Sequence, residues 1–236
     1  MPLFYVAYTV ISAGEPYWWP LSRDVPPRYS KTILPAVLLG YALPTVLMFW
    51  PWKDPNMVQG MTAFWQPSPI YVQILIVIFA YFYNLRYPEP KHNDRKAKDE
   101  PRDLKDLKLI YIVTFLIGVF LHFGVVYTLL TSTDPQLSFR TTFVPDIEIR
   151  QKSLGEGLRN LWLSDFYGFF LASFLWCSYA VWDLKRVGRA NVDVWKASAL
   201  IALANILFGP GSAMSAVWYW RESAMARTSV PKEEAS

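Results

Sequence analysis

Apolar runs separated by short polar segments dominate this chain. Six such runs stand out, at residues 2–13, 32–50, 70–83, 109–131, 158–184 and 194–220. An α-helix rises about 1.5 Å per residue, so about 20 apolar residues cross the roughly 30 Å hydrocarbon core of a bilayer. The pattern predicts an all-α fold, a polytopic transmembrane helical bundle with about six spans (five to seven). We expect one transmembrane domain over residues 1–236.

Proline and glycine interrupt two of these runs. Pro35 and Pro44 lie inside the second run and predict a kinked helix. The sequence Gly-Pro-Gly at 209–211 interrupts the last run and predicts a break there. Broken backbone at membrane depth is tolerated only inside protein or beside a water-filled cavity, so this break indicates a binding chamber. The connector 51–69 is predicted to be rich in turns, and the polar segment 132–157 to hold an interfacial helix or a lid.

Composition and charge agree with a membrane protein. Of the 236 residues, 53% are hydrophobic and only 18% are charged, against about 25% charged in soluble domains. The basic residues sit in short loops between the apolar runs, which is typical of the positive-inside rule and not of nucleic-acid binding. The loops after the first, third and fifth runs are therefore assigned to the cytoplasm, in a multi-pass protein of the endoplasmic reticulum membrane. Cys177 is the only cysteine, which excludes an internal disulfide and zinc sites built on paired cysteines.

One carboxylate lies inside the fifth run. Ser153 and Glu156 form a capping-box pattern, which predicts that a helix begins at the residue after Ser153 and places Asp165 about 16 Å along it. An ionisable group at that depth is costly unless it faces a polar cavity or a partner, so Asp165 is a candidate functional residue. The alternative is a structural aspartate near the interface, paired with Arg159 or with a loop.

Two further ionisable residues lie in or beside apolar runs. His122 is near the middle of the fourth run and could donate or shuttle a proton, or simply form a hydrogen bond across the bundle. Small residues near it, such as Gly118, allow close approach of a neighbouring helix. Glu15 follows the first run and is either a solvated charge at headgroup level or an acid aimed into the mouth of a cavity.

The motifs of several enzyme classes are absent from the sequence. It has no Walker loop, dinucleotide fingerprint, HExxH motif or nucleophile elbow. It also has no aspartate-rich cluster on an apolar helix, which argues against Mg²⁺-assisted ionisation of a diphosphate, and we expect neither a metal nor a cofactor. Isolated acids among aromatic rings could instead protonate a lipid-like substrate and stabilise a carbocation. Aromatic residues are, however, abundant at the interfaces of any membrane protein.

Three segments carry a resemblance to a known group of proteins. They are GEPYWWP at 14–20, RYSKTILPAVLLGYALPTVLMFWP at 28–51 and LFGPGSAMSAVWYWRE at 207–222. They resemble small fungal integral-membrane proteins of meroterpenoid and indole-diterpene biosynthesis, including membrane terpene cyclases of the ascochlorin and ascofuranone type. The resemblance implies an enzyme that uses no metal, protonates a terminal epoxide or olefin of a prenyl chain and guides its cyclisation with acids in the membrane.

We therefore predict a proton-initiated terpene cyclase, an intramolecular lyase or isomerase acting on the epoxy-prenyl chain of a meroterpenoid. Asp165 is the leading candidate acid and Glu15 the second, while His122, Asn205 and Glu222 would orient the acid or a substrate oxygen. The aromatic side chains expected to shape the substrate chamber are Trp18, Trp162, Tyr167 and Trp218. The expected partners are a lipophilic prenylated small molecule and membrane lipid. A non-catalytic transporter or lipid-binding scaffold and a sterol- or lipid-isomerase-like enzyme are the alternatives.

Overall fold

A computed structural model describes residues 25–88, 103–145 and 153–226. The predicted first span, with Glu15 and Trp18, lies outside the described residues. Every regular element in the described part is helical and none is a strand, so the all-α prediction is confirmed there. The α-helices in chain order are α1 (Pro27–Val37), α2 (Leu43–Phe49), α3 (Pro55–Trp65), α4 (Ser68–Arg86), α5 (Leu104–Thr131), α6 (Phe139–Phe143), α7 (Leu154–Arg186), α8 (Val194–Phe208) and α9 (Pro210–Ala226).

Three helical segments of the described chain are long and apolar enough to cross a membrane. They are Pro27–Phe49, Ser68–Arg86 and Leu104–Thr131, while α8 is apolar but shorter. Helix α7 has 33 residues, but Asn160, Ser164 and Asp165 make its N-terminal half more polar. Helices able to cross a membrane by length and composition are thus present as predicted, and the count of six spans stays a prediction.

The helical segment Pro27–Phe49 contains a π-helical turn, Leu38–Ala42, between α1 and α2. Pro44 has no N–H to donate to the carbonyl of Gly40, and its ring would clash with that carbonyl in a regular α-helix. A widened turn of this kind accommodates the clash without ending the helix. The distortion predicted from the prolines therefore takes the form of a π-helical turn.

The connector 51–69 differs from the prediction, because eleven of its residues form helix α3. The side chain of Asp54 accepts a hydrogen bond from the backbone N–H of Asn56 at 2.9 Å, and Pro55 occupies the first helical position. An aspartate N-cap followed by proline is a strong helix start. The expectation of a connector made of turns was wrong because that signal was overlooked.

The chain divides into two compact units, residues 21–110 and residues 1–20 with 111–236. In the described part of the first unit, α1 and the π-helical turn pack against α4. In that of the second, α7, α8 and α9 pack together around a core of Cys177, Val181 and Ile201. Helix α5 runs from the first unit into the second. The prediction of a single transmembrane domain is not tested by this division.

Candidate functional site

Helix α7 begins where its capping box predicts. The Ser153 hydroxyl accepts a hydrogen bond from the backbone N–H of Glu156, and the Glu156 carboxylate accepts one from the N–H of Ser153, both at 3.2 Å. These two bonds satisfy donors that the first turn of a helix cannot pair internally. The prediction that the helix begins after Ser153 is confirmed, and this start sets the position of Asp165 along α7.

Asp165 lies on an open face of α7. A depression of about 560 Å³ is lined by Trp162, Asp165, Phe166, Gly168, Phe169 and Ala172, which we call the Asp165 face. Residues three and four apart share a side of a helix, so these positions form one continuous surface. The Trp162 side chain is 63% exposed. The face therefore presents a carboxyl group surrounded by aromatic rings, as an open surface and not as an enclosed chamber.

Arg159 and Tyr167 on α7 hold helix α6 beside the Asp165 face. The Arg159 guanidinium donates to the carbonyl of Val144 at 2.7 Å, and the Tyr167 hydroxyl donates to the carbonyl of Phe143. The ring of Phe143 lies 5.7 Å from that of Phe166. The hydrogen bond of Arg159 thus goes to a backbone carbonyl and not to Asp165. Segment 132–157 thus holds a short helix in its described part, and its role as an interfacial helix or a lid stays a prediction.

The break in the last apolar run lies at Gly209, as predicted. Gly209 has φ of 85° between α8 and α9, and Pro210 has no N–H for the carbonyl of Ile206, four residues earlier. The Nε2 atom of His122 lies 3.1 Å from that carbonyl oxygen. Because a carbonyl only accepts, Nε2 must carry the hydrogen and donate it. His122 therefore satisfies a backbone group that the break leaves unpaired, which is the hydrogen-bonding alternative considered for it.

Small and hydroxyl residues bring α5 and α9 together next to this break. A Cβ atom at Gly118 would lie 2.4 Å from the Ser212 hydroxyl oxygen, so a larger residue would displace that hydroxyl from its present position. The Ser212 hydroxyl donates to the carbonyl of Phe115 at 3.3 Å. The hydroxyls of Thr114 and Ser215 lie 3.0 Å apart. The close approach predicted near Gly118 is confirmed, and the serines that complete it were not singled out from the sequence.

Asn205 is buried at the same level, one turn before the break. Its side chain is 1% exposed, and its Nδ2 donates to the carbonyl of Ile201 at 2.8 Å. That bond fixes the orientation of the amide, because exchanging nitrogen and oxygen would place two acceptors together. The Oδ1 atom is buried and has no hydrogen-bond partner among the described residues. A buried acceptor without a donor is costly, and the substrate-orienting role predicted for Asn205 stays a prediction.

Glu222 and Trp218 lie together in the C-terminal half of α9. Glu222 is 8% exposed, and its carboxylate is 3.2 Å from the Arg221 guanidinium. The Arg221 guanidinium carbon lies 4.8 Å from the centre of the Trp218 ring, which meets the Trp176 ring edge-on at 5.5 Å. Of the predicted acids that the structure describes, Glu222 is thus the buried one and Asp165 the exposed one.

The predicted site residues fall into three places along the second unit. Helices α7 and α9 run parallel, because Ser173 contacts Pro210 and, farther along both helices, Trp176 contacts Trp218. Asp165 precedes Ser173 by about 12 Å, and Glu222 follows Pro210 by about 18 Å. Counted from the Trp176–Trp218 contact instead, the separation is shorter, so the two acids are roughly 20–30 Å apart along the bundle, too far for one to orient the other.

The three groups are Asp165 with Trp162 and Tyr167, His122 with Asn205, and Glu222 with Trp218. The roles proposed for these residues stay predictions. Sequence reasoning missed Phe166 and Phe169 on the Asp165 face, although their spacing from Asp165 along a helix would have indicated them. No group of three or more His, Cys, Asp or Glu residues within the described ranges could hold a metal ion.

Comparison with known families is decisive for the class of protein. The chain matches the CtvD domain family over residues 1–226. It belongs to the CtvD-domain family. The resemblance to fungal membrane terpene cyclases of meroterpenoid biosynthesis is confirmed at the level of this family. No solved structure matches the chain.

Three curated fungal proteins are similar to this CtvD-domain chain. It is 26% identical over 229 residues to the FAD-dependent monooxygenase verC1 of Penicillium polonicum, covering 95% of the chain and 27% of verC1. It is 24% identical over 200 residues to the terpene cyclase resF of Aspergillus sclerotiorum, covering 84% of the chain and 53% of resF. It is also 31% identical over 134 residues to the FAD-dependent monooxygenase BOA8 of Botryotinia fuckeliana, covering 56% of the chain and 16% of BOA8. The chain thus spans about half of resF and about a quarter of verC1.

Proposed function

We propose that this CtvD-domain protein is a metal-independent terpene cyclase that acts on the epoxy-prenyl chain of a meroterpenoid at the membrane. One observation carries the proposal: the Asp165 carboxyl lies among the rings of Trp162, Phe166 and Phe169 on an open face of α7. A prenyl chain is apolar and needs such a surface to bind. The relative named terpene cyclase resF supports the same class of reaction.

The reaction begins with proton transfer from the Asp165 carboxylic acid to the epoxide oxygen. The C–O bond to the more substituted carbon breaks, and its electron pair goes to the oxygen, which becomes a hydroxyl group. The π electrons of a neighbouring alkene form a C–C bond to that carbon, and the last carbocation loses a proton that restores the acid. The product is therefore an isomer of the substrate.

The aromatic rings of the Asp165 face would assist the later steps. The face of an aromatic ring carries partial negative charge and attracts a cation within about 6 Å of the ring centre. Trp162 and Phe169 lie on the same side of α7 as Asp165, one on each side of it along the chain. In this arrangement a carbocation that moves along the prenyl chain stays near a ring as it leaves the acid.

The two relatives named as monooxygenases support an oxygenated substrate. The chain matches only 27% of verC1 and 16% of BOA8, so most of each of those proteins lies outside the matched region. A region similar to this chain and a monooxygenase thus occur in one protein. That combination is consistent with the addition of an oxygen atom to the substrate before cyclisation. We therefore favour an epoxide over an unmodified alkene as the group that Asp165 protonates.

The experiment is conversion of an epoxidised farnesyl-aromatic compound by microsomes that contain this chain. We expect a product of unchanged mass, formed in the presence of a metal chelator and absent with Asp165→Asn. Asp54→Asn is the matched control, because asparagine caps helix α3 as well as aspartate does. Full activity of Asp165→Asn would contradict the assignment of the acid and point to Glu15. No product from a folded protein with any prenylated substrate would favour the transporter or scaffold alternative.

A further inference from the structure

The first unit gathers positive charge at one end of its helices. Helices α1 and α4 are antiparallel, since the ammonium of Lys31 lies 5.8 Å from the centre of the Tyr83 ring and a Cβ at Gly40 would touch the backbone of Val72. The start of α1 therefore lies beside the end of α4, where Arg86 is the last helical residue.

The start of α5 joins the same end. The backbone N–H of Val25 donates to Asp103 at 3.0 Å, and the hydroxyl of Ser30 donates to Asp106 at 2.8 Å. These bonds place the first turn of α5, including Lys105, next to the start of α1. Each of the three helices belongs to a segment long and apolar enough to cross a membrane. The cations thus lie where three such segments end together.

The basic and acidic side chains at this end differ in their exposure to solvent. Lys31, Arg86 and Lys105 have exposed side chains, whereas the Asp103 side chain is fully buried. The Asp106 carboxylate is turned toward Ser30. Among the residues that the structure describes at this end, the exposed charge is therefore more basic than the composition suggests.

Tyrosine rings accompany the cations. The Arg28 guanidinium carbon is 4.8 Å from the centre of the Tyr29 ring, and that of Arg86 is 5.7 Å from the centre of the Tyr87 ring. Tyrosine is typical of the boundary between lipid and water, where its ring lies in the headgroup region. Cations held beside tyrosines at helix ends are consequently expected at the depth of lipid phosphates.

We propose that this basic end, defined as Arg28, Lys31, Arg86 and Lys105, binds the headgroups of anionic phospholipids at the membrane surface. Its cations are distributed over three helix ends, which suits a layer of headgroups better than one small anion. Each Lys or Arg close to an anionic leaflet attracts it. The binding also orients the protein, because anionic lipids are concentrated in the cytoplasmic leaflet, the side to which the loops after the first and third runs are assigned.

The test is native mass spectrometry of the full chain in mild detergent with added phosphatidylserine or phosphatidylcholine. We expect phosphatidylserine to be retained preferentially. Lys31→Gln or Arg86→Gln should each weaken its binding about fivefold, the factor equivalent to about 1 kcal/mol for a cation near an anionic surface. Lys53→Gln is the matched control, because Lys53 is exposed and lies in the α2–α3 connection, away from the basic end. It should bind as the unmodified chain does.

Three results would overturn this proposal. One is equal retention of the two lipids, and another is an equal loss with Lys53→Gln. The third is full displacement of the lipid by glycerophosphoserine, which would show that a soluble phosphate ester is sufficient. If Lys31→Gln does not fold, Lys105→Gln replaces it, because that side chain is exposed at the start of α5.

Discussion

The imidazole of His122 donates a hydrogen bond to the backbone carbonyl of Ile206 across 84 positions of sequence, with Nε2 3.1 Å from the oxygen. In an unbroken helix that carbonyl would accept from residue 210, but Pro210 has no N–H. The histidine on α5 thus replaces a hydrogen bond that the sequence of the α8–α9 break removes. This hydrogen bond connects α5, which is long enough to cross a membrane, to the break between α8 and α9.

His122→Phe should lower stability by about 1 kcal/mol, because the ring is kept but the carbonyl of Ile206 loses its donor. Thermal unfolding in detergent measures this change. His122→Gln, which retains an N–H donor but cannot shuttle a proton, separates the two roles considered for the residue. Normal stability with lost activity in His122→Gln would favour proton transfer. Unchanged stability of His122→Phe would contradict the structural role.

Gly118→Ala should destabilise the contact between α5 and α9, because the new methyl group would lie 2.4 Å from the Ser212 hydroxyl oxygen. That hydroxyl can rotate away only by giving up its bond to the carbonyl of Phe115. We expect Gly118→Ala to lower the free energy of unfolding by about 1 kcal/mol. Adding Ser212→Ala removes the hydroxyl and should largely recover that loss. The control is Gly124→Ala, since a Cβ there meets nothing within 4 Å. A loss of stability in the double variant that exceeds the sum of the losses in the two single variants would refute the contact.

Gly40→Ala should be more damaging than a glycine replacement elsewhere in the first unit. Its Cβ would lie 2.9 Å from the backbone nitrogen of Val72, and backbone cannot rotate away as a side chain can. We expect α1 and α4 to separate locally and stability to fall by about 1–3 kcal/mol. Gly60→Ala on α3 has open space around it and should be neutral or slightly stabilising. Equal unfolding temperatures for the two variants would contradict the close approach at Gly40.

Asn205→Leu tests whether the buried amide serves stability or substrate binding. Its Oδ1 has no partner among the described residues, and a leucine of similar size removes that cost. We expect unchanged or higher stability. A raised KM in the cyclisation assay would show in addition that the oxygen accepts a hydrogen bond from the substrate. A clear loss of stability would indicate that the amide has a structural donor after all.

Gly168→Leu tests the Asp165 face without altering its acid. A Cβ at Gly168 meets nothing within 4 Å, and the residue lines the depression, so a leucine there should fill it. Cyclisation should fall at least tenfold while the unfolding temperature stays the same. Gly124→Leu on α5, with equal space around it, is the matched control and should retain activity. Full activity of Gly168→Leu would move the substrate to another surface.

The elements with local causes were predictable from the sequence. The start of α7 follows from Ser153 and Glu156, and the break follows from Gly209 and Pro210, because each depends on backbone hydrogen bonds within a few residues. Helix α3 has an equally local cause in its aspartate cap and could have been predicted in the same way. Its omission was an error of interpretation and not a limit of the sequence.

The sequence by itself determined most of the helices, their interruptions and the apolar lengths that could cross a membrane, because helix propensity, caps and apolar length act over short distances. Only the tertiary structure decided that His122 meets Ile206, that Glu222 is buried beside Arg221, and that Asp165 lies on an open face. Apolar side chains surround α7 on every side, so periodicity does not indicate which face packs. The packing of helices distant in sequence makes that choice, and with it sets which acid a substrate can reach.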